Sequence, residues 1–326
     1  PFFTDDGVSL GYNLSWRKLD YSDYNTAQYN STNGAAQMIF GVPITENDTV
    51  SLMFGIDSNQ ITTYQGYTPQ AIIDYIDAIG SRTFHAWRTE LGWARDTRND
   101  YFMPTRGMYQ RVGLEVTLPG STVEYYKLNY QVSKYWPIIP SLVINTRLEL
   151  GYGDSYGSDT SRDICGVYDT TTNPGYIFWV PQACNGSNVQ RRVTATGLPF
   201  YENFYAGGTN SVRGFEDNTL GPRSEMTGAY PKGQPLGGSV KTVGSIEAYF
   251  PKLFDSPSAR LSAFVDFGNV FNGTDEFKVN DLRVSTGVAL LWRAPVGPIS
   301  ISYAIPLRKE DGDEIERLQF TFGGQF

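Results

Sequence analysis

The sequence predicts an all-β fold, an antiparallel transmembrane β-barrel of about twelve strands, and three observations carry that expectation. Segments of about ten residues alternate apolar and polar side chains along most of the chain, the period of a strand whose two faces meet unlike surroundings. Aromatic residues are plentiful, at 14% with 22 Tyr and 19 Phe, and charged ones scarce at 18%, while 34 Gly and 18 Pro supply turns between short strands. Long polar loops also take turns with tight connections, as the two rims of an outer-membrane barrel require. A soluble sandwich alternates as well. Trp136, Trp292 and Phe326 tip the balance, because they sit at strand ends where a membrane interface holds aromatic rings. No run of about 18 apolar residues occurs, so spanning helices are excluded, which leaves a barrel untouched.

In chain order the alternation places strands near residues 8–20, 34–43, 48–61, 82–95, 107–118, 122–136 and 139–151, followed by 240–250, 261–271, 282–293, 299–308 and 316–326. An even count returns both ends to one rim. With that rim periplasmic, segments 62–81, 152–239 and 272–281 lie outside, and "PITEN", "WPIIP" and "RAPVGP" become periplasmic turns. Segment 96–106 is longer than that assignment asks, and the outside turn at 119–121 is shorter. Within the first outside segment, "TPQAIIDYIDAIGS" breaks the alternation: Pro69 suits a first helical turn, and Ile72, Ile73, Ile76 and Ile79 recur at helical spacing. That predicts a short amphipathic helix over 68–81 on the outer surface, packed there without a function of its own. The whole chain, 1–326, reads as one barrel domain.

The last strands show the period best. Leu282, Val284, Val288, Leu290 and Trp292 share one face against Arg283, Ser285, Gly287 and Arg293. Ile299, Ile301, Tyr303 and Ile305 oppose Ser300, Ser302 and Ala304, and Leu318, Phe320, Phe322 and Phe326 oppose Gln319, Thr321 and Gln325. The same parity turns Ile246, Ala248 and Phe250 outward and Glu247 inward, and Leu261, Ala263, Val265 and Phe267 outward with Phe264 and Asp266 inward. Two carboxylates on neighbouring strands therefore face one lumen.

Arg213 lies upstream in "FYAGGTNSVRGFEDNTLGP", a glycine-rich loop with no partner beside it in sequence. An unpaired charge cannot face lipid cheaply, so it sits in water or against a carboxylate. If the loop folds into the barrel, its guanidinium fork reaches both Glu247 and Asp266. Gly207, Gly208 and Gly214 permit the tight turns that such an approach needs, and Phe215 is placed to plug against Phe264. The alternative is a solvated hairpin.

Other residues carry less. A net charge of −8 with no basic stripe disfavours nucleic acid, whose phosphates require clustered Lys and Arg. Cys165 and Cys184 share one polar segment with no zinc spacing, which leaves a loop-closing disulfide, the favoured reading and one that implies an oxidising compartment, or two surface thiols. The single histidine, His85, shares a face with Trp87, Leu91 and Trp93 and has no serine and acid arranged around it, so no catalytic residue and no cofactor are expected. "KEDGDE" at 309–314 reads more simply as an Asp-Gly turn than as a site for divalent cations or lipopolysaccharide. No Met precedes "PFFTDDGVSLGY", and residue 1 is expected not to be the biological N-terminus.

"FYENFYAGGTNSVRGFEDNTLGP" resembles the loop signature of the Omp85 superfamily of outer-membrane barrels. "GVSLGYNL", "PGSTVEYYKL", "LELGYGD", "APVGPISISYAIPL" and "DGDEIERLQFTFG" resemble segments of its outer-membrane protein assembly barrels, in the expected order over most of the chain. The resemblance implies a bacterial, Gram-negative outer-membrane location and a role in protein insertion. It makes Val212, Arg213, Gly214 and Phe215 an inward-folded motif held by Glu247 and Asp266. It implies lipid, lipopolysaccharide and unfolded outer-membrane proteins as partners, with accessory lipoproteins bound through periplasmic POTRA domains. By that resemblance the given sequence is expected to start at about the fifth of some sixteen family strands, after those domains, and the cysteine-bearing insertion at 152–199 departs from the pattern.

In the superfamily the first and last strands meet at a weak seam that opens laterally. Only the last strand is expected here, with Leu318, Phe320, Phe322, Gly323, Gly324 and Phe326 at the seam; the two glycines either weaken pairing or accommodate a kink. Because a bare edge in lipid is costly, strand 8–20 is expected to close against strand 316–326 as a smaller barrel without the native gate. Competing functions are a passive outer-membrane channel and another transporter of the superfamily, TamA-like or of the two-partner secretion kind.

Overall fold

The computed structural model describes residues 7–157, 159–169, 178–185, 189–227, 229–251, 258–295 and 297–323. Seven strands come first: β1 (Ser9–Asp20), β2 (Tyr29–Pro43), β3 (Asp48–Thr63), β4 (Thr83–Asp96), β5 (Gly107–Thr117), β6 (Tyr125–Ile139) and β7 (Leu142–Ser155). Helix α1 (Gln70–Ile79) falls between β3 and β4. Then come β8 (Thr160–Asp169), β9 (Phe178–Pro181) and β10 (Val189–Ala195), followed by β11 (Val240–Phe250), β12 (Ala259–Phe271), β13 (Arg283–Ala294), β14 (Gly297–Arg308) and β15 (Leu318–Phe322).

The twelve expected strands form one antiparallel sheet in the order β1 to β7, then β11 to β15, so that β7 pairs with β11 across the long loop. Outward positions predicted from parity are apolar and open at Ile246, Val265, Val288, Ile301, Tyr303 and Ile305, while Glu247, Phe264, Asp266, Ser285, Ser302 and Ala304 are buried behind them. Trp136 and Trp292 lie exposed near the tight-turn rim. Pro137, which cannot donate to a ladder, sits where the pairing of β6 with β7 shifts register, next to the turn.

The expected closure does not occur. Among the described residues β1 pairs only with β2 and β15 only with β14, and no ladder joins β1 to β15. The inward face is covered by the segment between β10 and β11, which packs against side chains of the strands. Phe200 packs with Tyr29, Ile61, Phe84 and Tyr75 in one cluster. Val212, Phe215, Leu220 and Phe204 pack with Tyr125, Val243 and Val270 in another.

Helix α1 forms where the spacing of isoleucines placed it, with Gly80 ending it in the left-handed region at φ 75° and donating to the Ile76 carbonyl. Ile72, Tyr75, Ile76 and Ala78 are buried against Phe200 and Val193, so the apolar face packs under the loops as the isoleucine spacing predicts. A second sheet, in the order β10-β8-β9, was not foreseen. Its strands carry no clear two-faced alternation, which hides them from a period-2 reading. The Cys165–Cys184 disulfide spans this sheet's connections, with the Cα atoms 5.1 Å apart.

Candidate functional site

The loop after β10 descends along the lumen and turns at Gly207, Gly208 and Gly214, whose φ angles of 107°, 92° and 91° lie where side chains are disfavoured. At Gly214 the backbone also approaches β14, where an added Cβ would stand 3.0 Å from that of Ala304. These turns bring Arg213 against β11 and β12.

Asp266 accepts three hydrogen bonds from Arg213. Arg213 Nε lies 2.7 Å and Nη2 2.8 Å from its two carboxylate oxygens, and the Arg213 backbone N–H donates to the same carboxylate at 3.1 Å. Nη1 and Nη2 each donate to one oxygen of Glu247 at 3.3 Å. Ser245, which faces Asp266 across the β11–β12 ladder, receives Nη2 at 3.3 Å and donates to Asp266 at 2.6 Å. Ser262 and Tyr249 donate to Glu247. Every acid lone pair that the arginine does not meet is thus directed elsewhere, the condition under which a buried ion pair holds. Burial works to pull the Arg213 pKa down; the hydrogen bond and charge of Asp266, with those of Glu247, outweigh it and keep the group above its ordinary value.

The structure corrects one expected contact. Phe215 does not meet Phe264; it is fully buried with Leu220, Val243 and Val270, and the guanidinium of Arg213 takes the place on Phe264, 3.3 Å above the ring centroid. Val212 is fully buried beside Phe215. The motif also reaches the last strand. Gln319, turned inward on β15, accepts from the Gly214 N–H at 3.2 Å and donates to the Phe215 carbonyl at 2.8 Å. Glu316 N–H donates to the Gly214 carbonyl. Sequence parity had turned Gln319 inward, but nothing in sequence signalled that a loop backbone would meet it.

Leu318, Phe320 and Phe322 are exposed on the outward face of β15. Gly323, just past the strand, has φ 70° and donates to Pro298, which favours the kink over weakened pairing. Gly324 and Phe326 lie outside the described residues. In 309–314, Glu310 and Asp313 pair with Arg283, and Glu314 pairs with Arg223. His85 is exposed on β4.

A second charged cluster, unanticipated, holds the start of the same loop. Glu202 receives Arg88 of β4 at 2.7 Å and Lys127 of β6 at 3.2 Å. Arg88 Nε also lies 2.9 Å from Asp57 of β3 and 3.5 Å from Glu115 of β5. Tyr125 accepts from Arg88 and donates to Glu115. Burial pushes the Glu202 carboxyl up, but Arg88 and Lys127 prevail and hold it below its ordinary value.

The Omp85 superfamily domain matches residues 1–326. The chain belongs to the Omp85 superfamily. Within that superfamily it is 31% identical, over its whole length, to the outer membrane protein assembly factor BamA of Neisseria meningitidis serogroup B, and it spans 40% of that relative. It is 23% identical to the human sorting and assembly machinery component 50 homolog over 76% of this chain and 48% of that one. The crystal structure of BamA from Haemophilus ducreyi lacking POTRA domains 1-3 superposes with a TM-score of 0.77 at 27% identity, covering 98% of this chain and 59% of that one. The chain thus spans about two fifths of the Neisseria relative's length, and an Omp85 barrel is the part it matches.

Proposed function

We propose that this Omp85 chain is the membrane barrel of an outer-membrane protein assembly and insertion factor, working on unfolded outer-membrane proteins in a Gram-negative outer membrane without catalytic chemistry or cofactor. The observation that carries the reading is the motif at 212–215, tied at once to the lumenal acids of β11 and β12 by Arg213 and to the outermost strand β15 by Gln319. A loop joined to an edge strand gives the lumen a mechanical link to the place where a client strand would pair. Lipid and lipopolysaccharide surround such a barrel, and lipoprotein partners would act through periplasmic domains of a longer protein.

A passive channel is less well supported, since the loop packs apolar side chains against the inward face of the sheet. A different transporter of the superfamily has no residue here that favours it. Introducing Arg213→Ala into the full-length parent and scoring folded outer-membrane proteins in cells tests the reading. Assembly should fall, with Arg213→Lys intermediate; parental assembly in the Arg213→Ala strain would reject the role of the motif.

A further inference from the structure

We infer that the outward face of β2 is a groove for one acyl chain of a phosphate-bearing membrane lipid, with Lys18 as the cation that receives the phosphate. The inference rests on the membrane reading above and not on assembly activity.

Three outward rows cross the first strands. Tyr12 pairs with Met38 and Met38 with Phe54; Leu14 with Ala36, Ala36 with Ile56 and Ile56 with Trp87; Trp16 with Gly34, Gly34 with Ser58 and Ser58 with His85. On β2 two successive outward positions, Gly34 and Ala36, therefore carry almost no side chain, while large apolar groups stand on both sides. The result is a trough made of two adjoining cavities of about 530 and 450 Å³, which share Leu14, Ala36 and Ile56. On its β1 wall Tyr12, Leu14 and Trp16 are 74%, 82% and 78% exposed, as befits a strand that among the described residues has a neighbour on one side only. The indole of Trp16 leans across β2, and a Cβ at Gly34 would meet it at 3.0 Å. An apolar trough within the lipid-facing belt is filled by lipid, and its width of about one strand fits a single chain and no wider partner.

The head end is equally defined. One pleat beyond Trp16, about 7 Å along the strand, the next outward residue is Lys18, in register with Thr32, which is in register with Gln60. Apolar rows thus give way to a polar row where an indole and a lysine mark a membrane interface. Among the described residues no carboxylate lies within 4.0 Å of Lys18. Asp20, next on that face, is turned to its own turn, accepting from the Ser22 N–H at 3.1 Å and the Ser22 hydroxyl at 2.7 Å. An exposed, unpaired ammonium above a chain-wide apolar trough selects an anionic headgroup over a zwitterionic one.

The test uses the full-length parent, stripped of lipid in detergent and then offered phosphatidylglycerol or phosphatidylethanolamine, with retained lipid counted by native mass spectrometry. The wild type should keep phosphatidylglycerol preferentially. Ala36→Phe, which fills the trough from the lipid side and leaves the lumen alone, should cut retention about tenfold, or 1.4 kcal/mol. Lys18→Gln should abolish the preference while zwitterionic lipid is retained as before, and Lys18→Arg should restore it. Equal retention by the wild type and Ala36→Phe, an undiminished preference in Lys18→Gln, or a second protein copy in place of lipid would each overturn the inference. Failure of the wild type to enter vesicles of the two lipids would instead reject the membrane reading itself.

Discussion

The two ends of the lumenal loop are held by charges of opposite sign. At its deep end the loop brings a cation, Arg213, to acids of β11 and β12; at its entry it brings an acid, Glu202, to Arg88 and Lys127 of β4 and β6. The first is a planar fork that never titrates near neutrality and whose main partner, Asp266, is fully buried. The second is a carboxylate shared between two cations, one of which, Arg88, also has Asp57 and Glu115 beside it. The contrast teaches that the deep end depends on one residue, whereas at the entry Arg88 keeps two other acids when Glu202 is lost.

The largest effect that would sharpen this contrast is expected from Arg213→Ala. It leaves Asp266 charged and unpaired in a dry site, a loss of about 3–5 kcal/mol, visible as a lowered unfolding midpoint in detergent. Arg213→Lys should recover only part, since a point charge cannot make the paired contacts. Next, Glu202→Gln should cost less, about 1.5–3 kcal/mol, because Arg88 keeps Asp57 and Glu115; an equal or larger loss would break the contrast. A double-mutant cycle of Arg213 with Asp266 should show coupling above about 1 kcal/mol, and one of Arg213 with Glu202 should be additive within about 0.5 kcal/mol. Coupling between the two ends would mean that the loop acts as one rigid body.

The smallest expected effect is on pH dependence. The Glu202 pKa is depressed in the fold by Arg88 and Lys127 against the opposing pull of burial. A depressed carboxylate contributes stability that is present above its unfolded value, about 4.3, and is lost as pH falls through the lower folded value. Acid titration of the wild type should therefore show a loss below about pH 4 that Glu202→Gln removes. Arg213 stays charged throughout that range, so Arg213→Ala should shift the whole curve down without removing the acid limb. An unchanged acid limb in Glu202→Gln would show that Glu202 is not the group that titrates.

The deep site was legible because a barrel writes its inside and outside into every second residue, and Glu247 and Asp266 sit one and two strands after the loop that carries Arg213. Gln319 was half legible: its parity showed the face, but backbone groups of a loop carry no mark of where they will dock. The entry cluster was not legible, since Arg88, Lys127, Asp57 and Glu115 come from four strands and each looks in sequence like an ordinary lumenal charge. Phe215 was misplaced for a related reason. Parity names the wall residues a loop faces but not which loop side chain lies on which wall residue, and Phe264 went to the guanidinium.

By itself the sequence determined the twelve strands of the main sheet, their faces, helix α1 and the acids awaiting Arg213, because these follow from local periods and from the cost of placing charge in lipid. The tertiary structure alone decided that among the described residues no ladder joins β1 to β15, that a second small sheet forms from β8 to β10, and that the loop is gripped at both ends. Those outcomes depend on how an interior is filled by residues far apart in the chain, and packing of that kind leaves no periodic trace in sequence.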